Sequence, residues 1–376
     1  MKKRMYVISG VTGMTGNELA RQLVSRHDYV IGFDNFFASS IDTVSDILGE
    51  RYFEFYEYDI NNTTQMDMLY DRVIKKMPEA SKVIFINCAA VVHTEHFYDI
   101  NSTFETNVIS MKKSLDKAIE IGCCQYINCS TSEVYSMNSF NETGGVRESS
   151  NLLFATAETS QRTSYATGKL LTEFFMKDAV NRNLIKGCSI RFANVYSKDE
   201  KFSKHIIPHI IHSLLETGKL TLLNNSKTNR RTFLHNIDSC SAVLALSDAG
   251  DVPDKDAAYA AAPGIDVALP VGGGSDNSTR RAGVDEVLDG SIYNVATDEE
   301  ISIIDLAKMI AVKMGIVDLQ INFEGHRTAD PERRILNTDK LRVATGWLPK
   351  VKLSNGLDMC IAHTMKSRRP MSVDEY

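Results

Sequence analysis

Hydrophobic and polar positions follow two alternating rhythms through the first half of the chain. Met5 to Ser9 is a short apolar run with β-branched members, the pattern of a strand buried on both faces. Asn17 to Val24 then sets Leu19, Leu23 and Val24 at helical spacing on one face. Runs at 29–33, 53–58, 82–86, 125–129 and 187–191 predict further strands. Helical patterns follow at 106–121, closed by Gly122, and at 164–178. Strands alternating with helices predict an α/β fold with a Rossmann-type, doubly wound parallel sheet.

The rhythm changes after about residue 190. Residues 205–215 read as an apolar helix, and 220–223 and 231–235 as strands. Ile237-Asp238 opens another helix, 292–295 resumes a strand, and 302–310 is an amphipathic helix. A last helix begins near Gly356. Between them, residues 249–290 are rich in alanine, then glycine, and low in aromatics, which predicts a surface insertion. The chain of 376 residues is long for one core. The predicted organisation is a first lobe over 1–190, joined by later segments near 231–247 and 291–297. A smaller mixed α/β C-terminal lobe spans 191–376.

A net charge of −6 argues against nucleic acid as a partner. The basic groups at Lys2-Lys3-Arg4 and Arg368-Arg369 read as solvated ends. The seven cysteines are scattered without metal spacing, which predicts reduced thiols, a cytoplasmic location and no metal. The apolar run after the charged N-terminus is too short for a signal sequence or a membrane span.

Chemistry concentrates at the ends of the predicted strands. Gly10, Gly13 and Gly16, with Thr12 and Met14 between them, form a glycine turn between the first strand and first helix. Such a turn lets a pyrophosphate approach the backbone and the free N–H groups of the helix. Asp34 ends the second strand, followed by Asn35. An acid there accepts hydrogen bonds from ribose hydroxyls and repels a 2′-phosphate, which favours NAD over NADP. Asp59 and Ile60, beyond the third strand, are placed to meet the adenine. Ala89 and Ala90 are small enough for backbone to pass beside a cofactor. His93 and His96 lack a third ligand cluster and read as loop residues near the substrate.

Thr131 ends the fifth strand, where ligands bind in open α/β sheets. Ser132 and Glu133 follow, and a carboxylate there can remove a proton next to a ketone. Tyr165 and Lys169 lie four apart, one turn along a helix. A lysine ammonium beside a phenol favours the phenolate, so the tyrosine can take a proton from a hydroxyl. Arg327 and Asp330, in a late polar loop, suit a diphosphate and a ribose.

In this order the motifs GVTGMTG, Asp34-Asn35, Asp59-Ile60, Asn87-Cys-Ala-Ala90, Asn107-Val108, STSEVY, YATGK, Arg191 to Tyr196, RTF at 231–233 and GWLPK resemble the extended short-chain dehydrogenase/reductase family. Its members include NAD-dependent nucleotide-sugar epimerases, dehydratases and decarboxylases. The resemblance covers nearly the whole chain outside 249–290. It implies that Tyr165 is the base at sugar carbon 4, that Lys169 binds the nicotinamide ribose, and that Thr131 completes the triad. It places Asn107 at the cofactor and Asn194 and Arg231 at the sugar diphosphate. It brings Arg327 and Asp330 to the diphosphate and nucleoside ribose, and puts Ser132, His93, Ile207 and Pro208 in the substrate shell. It also implies a homodimer through a four-helix bundle formed by the helices near Asn107 and Tyr165.

The chain departs from the family pattern at Ser136, where a glycine is usual, at Cys88, and at Thr232 after Arg231. The expected reaction is 4-epimerisation of a nucleotide-diphosphate sugar. The alternatives are 4,6-dehydration, UDP-glucuronate decarboxylation and, from a different class, a non-catalytic NAD-binding regulator. Thr-Ser-Glu is similar to GDP-mannose 4,6-dehydratases. Ser-Glu-Val-Tyr and Asp34-Asn-Phe-Phe37 are similar to UDP-glucuronate decarboxylases.

Overall fold

The computed structural model describes residues 3–92, 99–135, 139–160, 162–250, 287–327 and 330–367. His93, His96, Ser136, the basic ends at Lys2 and Arg368-Arg369, and most of the 249–290 insertion lie outside the described residues.

The strands in chain order are β1 (Lys3–Ser9), β2 (Tyr29–Asp34), β3 (Phe53–Glu57), β4 (Ala80–Asn87), β5 (Gln125–Thr131), β6 (Lys186–Phe192), β7 (Asn194–Tyr196), β8 (Lys219–Leu222), β9 (Arg230–His235), β10 (Asp289–Val295), β11 (Glu300–Ser302), β12 (Gln320–Phe323) and β13 (Arg333–Arg334). The helices are α1 (Met14–Ser25), α2 (Thr63–Lys76), α3 (Ile100–Phe104), α4 (Met111–Glu120), α5 (Arg162–Asn181), α6 (Ile206–Thr217), α7 (Asn236–Ala249), α8 (Ile303–Lys313), α9 (Asp339–Thr345) and α10 (Leu353–Ser367). A π-helical turn, Glu105–Ser110, joins α3 to α4.

Seven strands form one parallel sheet in the order β3-β2-β1-β4-β5-β6-β10. From β1 the chain builds outward through β2 and β3, then returns to add β4 on the other side. The order therefore reverses between β1 and β4, and the crevice for a ligand opens beyond their carboxyl ends. Ser9 and Asn87 end the two strands in register, and the Ser9 hydroxyl donates to Asn87 Oδ1 at 2.7 Å.

Alternation along the strands feeds two apolar layers. Tyr6, Ile8, Ile84 and Ile86 pack with α1, α7 and α9, while Met5, Val7, Phe85 and Tyr126 pack with α2, α4 and α5. Because both faces are covered, Met5 to Ile8 are all fully buried. The second half of the chain supplies β10 to this sheet and packs α7 against α1. In the smaller lobe β9 pairs with β7, β11 and β13, and β8 pairs with β12. Its core joins α6, α8 and α10 around Ile210, Leu306 and Leu357. The segment near 231–247 is split between the lobes, its strand in the small sheet and its helix on α1. Among the described residues, no helix is long and apolar enough to cross a membrane.

Several elements differ from the sequence pattern, among them β12, α9 and two helices of the larger lobe. The helix predicted to open at 106 begins at Ile100, where Asp99 caps it by accepting from the Ser102 N–H at 3.1 Å. Asn107 therefore sits inside the helix, in the π turn, and not at its start. Helix α2 went unpredicted, although Asn62 caps it and Met66, Leu69, Tyr70 and Val73 form its buried stripe.

Candidate active site

A cleft of about 1580 Å³ opens at the carboxyl edge of the parallel sheet and runs into the smaller lobe. Gly10, Thr12, Gly13, Met14 and Gly16 line one end. Gly10 has φ of +67°, and a Cβ there would lie 2.8 Å from the Ala89 nitrogen. A Cβ on Gly16 would lie 2.2 Å from the Gly10 oxygen, so α1 packs onto the turn only with glycine at that position. Gly13 caps α1, and the first turn holds no acidic residue, which leaves its N–H groups and positive dipole end to an anion.

Asp34 lines the same end and is already oriented. Its carboxylate accepts from the Thr12 N–H at 3.1 Å and the Phe36 N–H at 2.9 Å. Asn35 donates to Asp59 at 3.1 Å, and Asn35, Asp59 and Ile60 continue the wall. Ala89 and Ala90 form the floor. A glycine cradle, an open helix terminus and a strand-end acid together fit a dinucleotide with free ribose hydroxyls. Asn107 does not line the cleft. Its amide donates to the Val91 oxygen at 3.0 Å and accepts from the Val91 N–H at 2.7 Å. It holds the segment after β4 in place, and the π turn is what aims it.

The middle of the cleft holds Thr131, Tyr165 and Lys169. Tyr165, Lys169 and Glu173 recur every four residues along α5 and share one face. The Lys169 ammonium donates to the Cys129 carbonyl at 2.9 Å. Burial lowers its pKa, with Cys129, Cys88 and Glu173 opposing that shift. Thr131 accepts from the Glu133 N–H at 3.2 Å, a contact that leaves its own hydroxyl proton unspent.

Below this face lies a buried ion pair. Glu173 takes the Arg191 guanidinium at 2.6 and 2.9 Å and the Ser130 hydroxyl at 2.6 Å. The Thr172 hydroxyl accepts from Asn128 at 2.9 Å. These contacts lock α5 to β5 and β6 and so fix where Tyr165 and Lys169 stand.

At the far end, Asn194, Ile207, Pro208, Arg231, Arg327 and Asp330 line the cleft. Arg231 pairs with Asp330 at 2.9 Å. Burial, with Arg334 nearby, pulls the Arg231 pKa down to about 10, so it stays charged at neutral pH. Arg334 meets Glu133 at 2.5 Å, and both line the cleft. Burial opposes the Arg334 charge, but Glu133 and Asp330 outweigh it and hold the pKa up. Among the described residues, its buried Nε has no hydrogen-bond partner. Ser132 is buried off the cleft wall, and His93 lies outside the described residues.

Sequence reasoning missed Arg334 and Glu173. Arg334 lies on β13, four residues past Asp330, but its partner Glu133 is 201 positions away. Glu173 continues the four-residue spacing of Tyr165 and Lys169, a signal that was available.

A family model described as the NAD dependent epimerase/dehydratase family matches residues 6–262. A dTDP-D-glucose 4,6-dehydratase of Mus musculus is 21% identical, over 94% of this chain and 86% of that protein. UDP-glucuronic acid decarboxylase 5 of Arabidopsis thaliana is 22% identical, over 94% of this chain and 87% of that protein. Among solved structures, the UDP-glucuronic acid 4-epimerase of Bacillus cereus, in complex with UDP-glucuronic acid and NAD, superposes with a TM-score of 0.75. That match has 18% identity and covers 96% of this chain and 99% of the other. The family match spans well over half of the chain and coincides with the glycine cradle, Asp34, Thr131, Tyr165 and Lys169, so the chain belongs to the NAD-dependent epimerase/dehydratase family.

Proposed function

We propose that the chain oxidises carbon 4 of a nucleotide-diphosphate sugar and that the substrate sugar is a uronate, which then loses carbon dioxide. The single observation that carries the first step is the meeting of Thr131, Tyr165 and Lys169 on the wall shared with Gly10 and Asp34. NAD, held by the glycine turn and Asp34, supplies the acceptor for the hydride of carbon 4. Tyr165 takes the proton of the carbon-4 hydroxyl, and Thr131 orients that hydroxyl. Lys169 lowers the cost of the phenolate by its charge.

The Glu133–Arg334 pair supports the second step. A buried guanidinium in a sugar cleft is a natural partner for a carboxylate. Once carbon 4 is a ketone, a carboxylate at carbon 6 is β to it and leaves without a base. The carbon-5 position left behind needs a proton, which Glu133 beside Arg334 can relay from water. The carbon-4 ketone closes again by return of the same hydride and of the proton held by Tyr165, so the net change is loss of carbon dioxide. A 4,6-dehydration instead needs a group to protonate the departing hydroxyl, and Ser132 next to Thr131 is buried off the cleft. The second reading is the 4-epimerase, which uses Thr131, Tyr165 and Lys169 and asks nothing of the ion pair.

Arg334→Met is expected to lower kcat/KM on a nucleotide uronate by about 10²-fold or more. NAD retention, read by absorbance of the denatured supernatant, should not change. Glu133→Gln should stop carbon dioxide release. Isomerisation without carbon dioxide release, undiminished in both variants, would favour the 4-epimerase.

The proposed assembly is a homodimer through α3, α4 and α5. Ile100 and Phe104 on α3, and Leu171 and Phe174 on α5, are exposed on helices that pack side by side, and Phe174 is 64% exposed. Sedimentation of Phe174→Asp should show monomers where the parent chain shows dimers; unchanged mass in both would remove this assembly. The seven cysteines are all free thiols, which supports a reducing compartment such as the cytoplasm as the site of action.

A further inference from the structure

Between β8 and β9 a short turn, Asn224–Lys227, lies against the late loop that carries Arg327 and Asp330. Beyond Phe323, where β12 ends, the described part of that loop forms no strand or helix until Arg333. Left to itself, such a segment samples many conformations, and a ligand that needs it ordered bears the entropy cost. Side chains of the turn remove that freedom. Asn224 donates to the Gly325 carbonyl from its backbone N–H at 3.1 Å and from its amide at 2.9 Å. Asn225 accepts from the Arg327 N–H at 2.8 Å and donates to the Arg327 carbonyl at 3.0 Å. Asn229 donates to Asp330 at 2.7 Å, on the carboxylate oxygen that Arg231 does not take.

Asn225 is the distinctive member. One side chain closes both backbone groups of one residue, as a neighbouring strand would, and that residue carries the exposed, cleft-lining guanidinium. Arg has a long stem with many rotamers, so fixing its backbone sets the volume its cation can search. Asn225 itself stands on the cleft wall at the same place.

We propose that Asn225 is a positioning residue that presets Arg327 for the diphosphate-bearing half of the substrate, and so governs substrate affinity and not the chemical step. This rests on the nucleotide-sugar reading above. It adds that affinity is built by a turn some hundred residues from the loop it orders.

The test uses the full NAD-loaded chain with Asn225→Ala, Asn225→Asp, Arg327→Ala and the Asn225→Ala/Arg327→Ala double variant. Calorimetry measures the dissociation constants of UDP, GDP, CDP and dTDP, and kinetics follow on the sugar conjugate of the tightest. Asn225→Ala is expected to raise both the dissociation constant and KM about tenfold while kcat stays within about twofold. Asn225→Asp keeps the acceptor for the Arg327 N–H and should lose only about threefold. It also carries the test if the alanine variant fails to fold. In the double variant the two losses should not add, because Asn225 acts through Arg327. Additive losses, an unchanged dissociation constant, or a fall in kcat at constant KM would each overturn the proposal. A parent chain that binds none of the four diphosphates overturns the nucleotide-sugar reading instead, and the positioning role with it.

Discussion

Tyr165→Phe is expected to reduce turnover roughly 10³-fold while binding of NAD and of a nucleoside diphosphate changes less than about twofold. The substitution removes one oxygen. It leaves the ring in a position where Tyr165 is 7% exposed and the helix face is held from below. Lys169 keeps its carbonyl partner on Cys129, which does not depend on the phenol. What disappears is the only group of the triad that can accept the proton of the carbon-4 hydroxyl, because Lys169 is a donor and Thr131 exchanges its proton only at high cost. Steady-state kinetics beside equilibrium dialysis read the two quantities separately. No conversion of any nucleotide sugar by the parent chain, with Tyr165→Phe indistinguishable from it, would support the non-catalytic regulator.

The second large effect lies beneath the site. Glu173→Ala should destabilise the chain by about 3–5 kcal/mol, because it strands the Arg191 guanidinium in the core without its carboxylate. Both side chains are nearly inaccessible, at 2% for Glu173 and 3% for Arg191, so water cannot replace the lost partner. Ser130 loses its acceptor in the same step. Replacing both members, as Glu173→Leu with Arg191→Met, removes the unpaired charge as well as the bond and should recover much of the loss. Guanidinium denaturation of the three proteins measures this cycle. A loss under about 1 kcal/mol in Glu173→Ala would mean that α5 is anchored elsewhere. Turnover should fall in Glu173→Ala even where the chain remains folded, since the pair sets where Tyr165 and Lys169 stand.

Local signals made part of this site legible. Gly10 to Gly16, Asp34 and the Tyr165–Lys169 pair each lie within a few residues of the strand end or helix turn that gives them meaning. Asn107 was visible as a residue to note, but its place was not. The π turn adds a residue to the helix and turns the amide onto Val91, and no periodicity announces such a turn. The helix from Thr63 does carry local marks, the Asn62 cap and a clean apolar stripe. Arg334 and Glu133 carry no pattern that links them, because their meeting depends on how the small lobe closes over the sheet. The same holds for Asn225, which is ordinary in its own stretch, and for its meeting with Arg327. Contacts between distant segments follow from topology, and topology is the part of the fold that hydrophobic rhythm describes least.

The most direct measurement is mass spectrometry of the products formed from UDP-, GDP-, CDP- and dTDP-linked hexoses and uronates by the NAD-loaded chain, with Tyr165→Phe in parallel. One nucleotide uronate is expected to lose carbon dioxide in the parent reaction and to be returned unchanged by the variant. Isomerisation at unchanged mass would replace the decarboxylation step with epimerisation and keep the carbon-4 chemistry. No conversion of any nucleotide sugar, or conversion indifferent to Tyr165→Phe, would rule out carbon-4 oxidation through Tyr165.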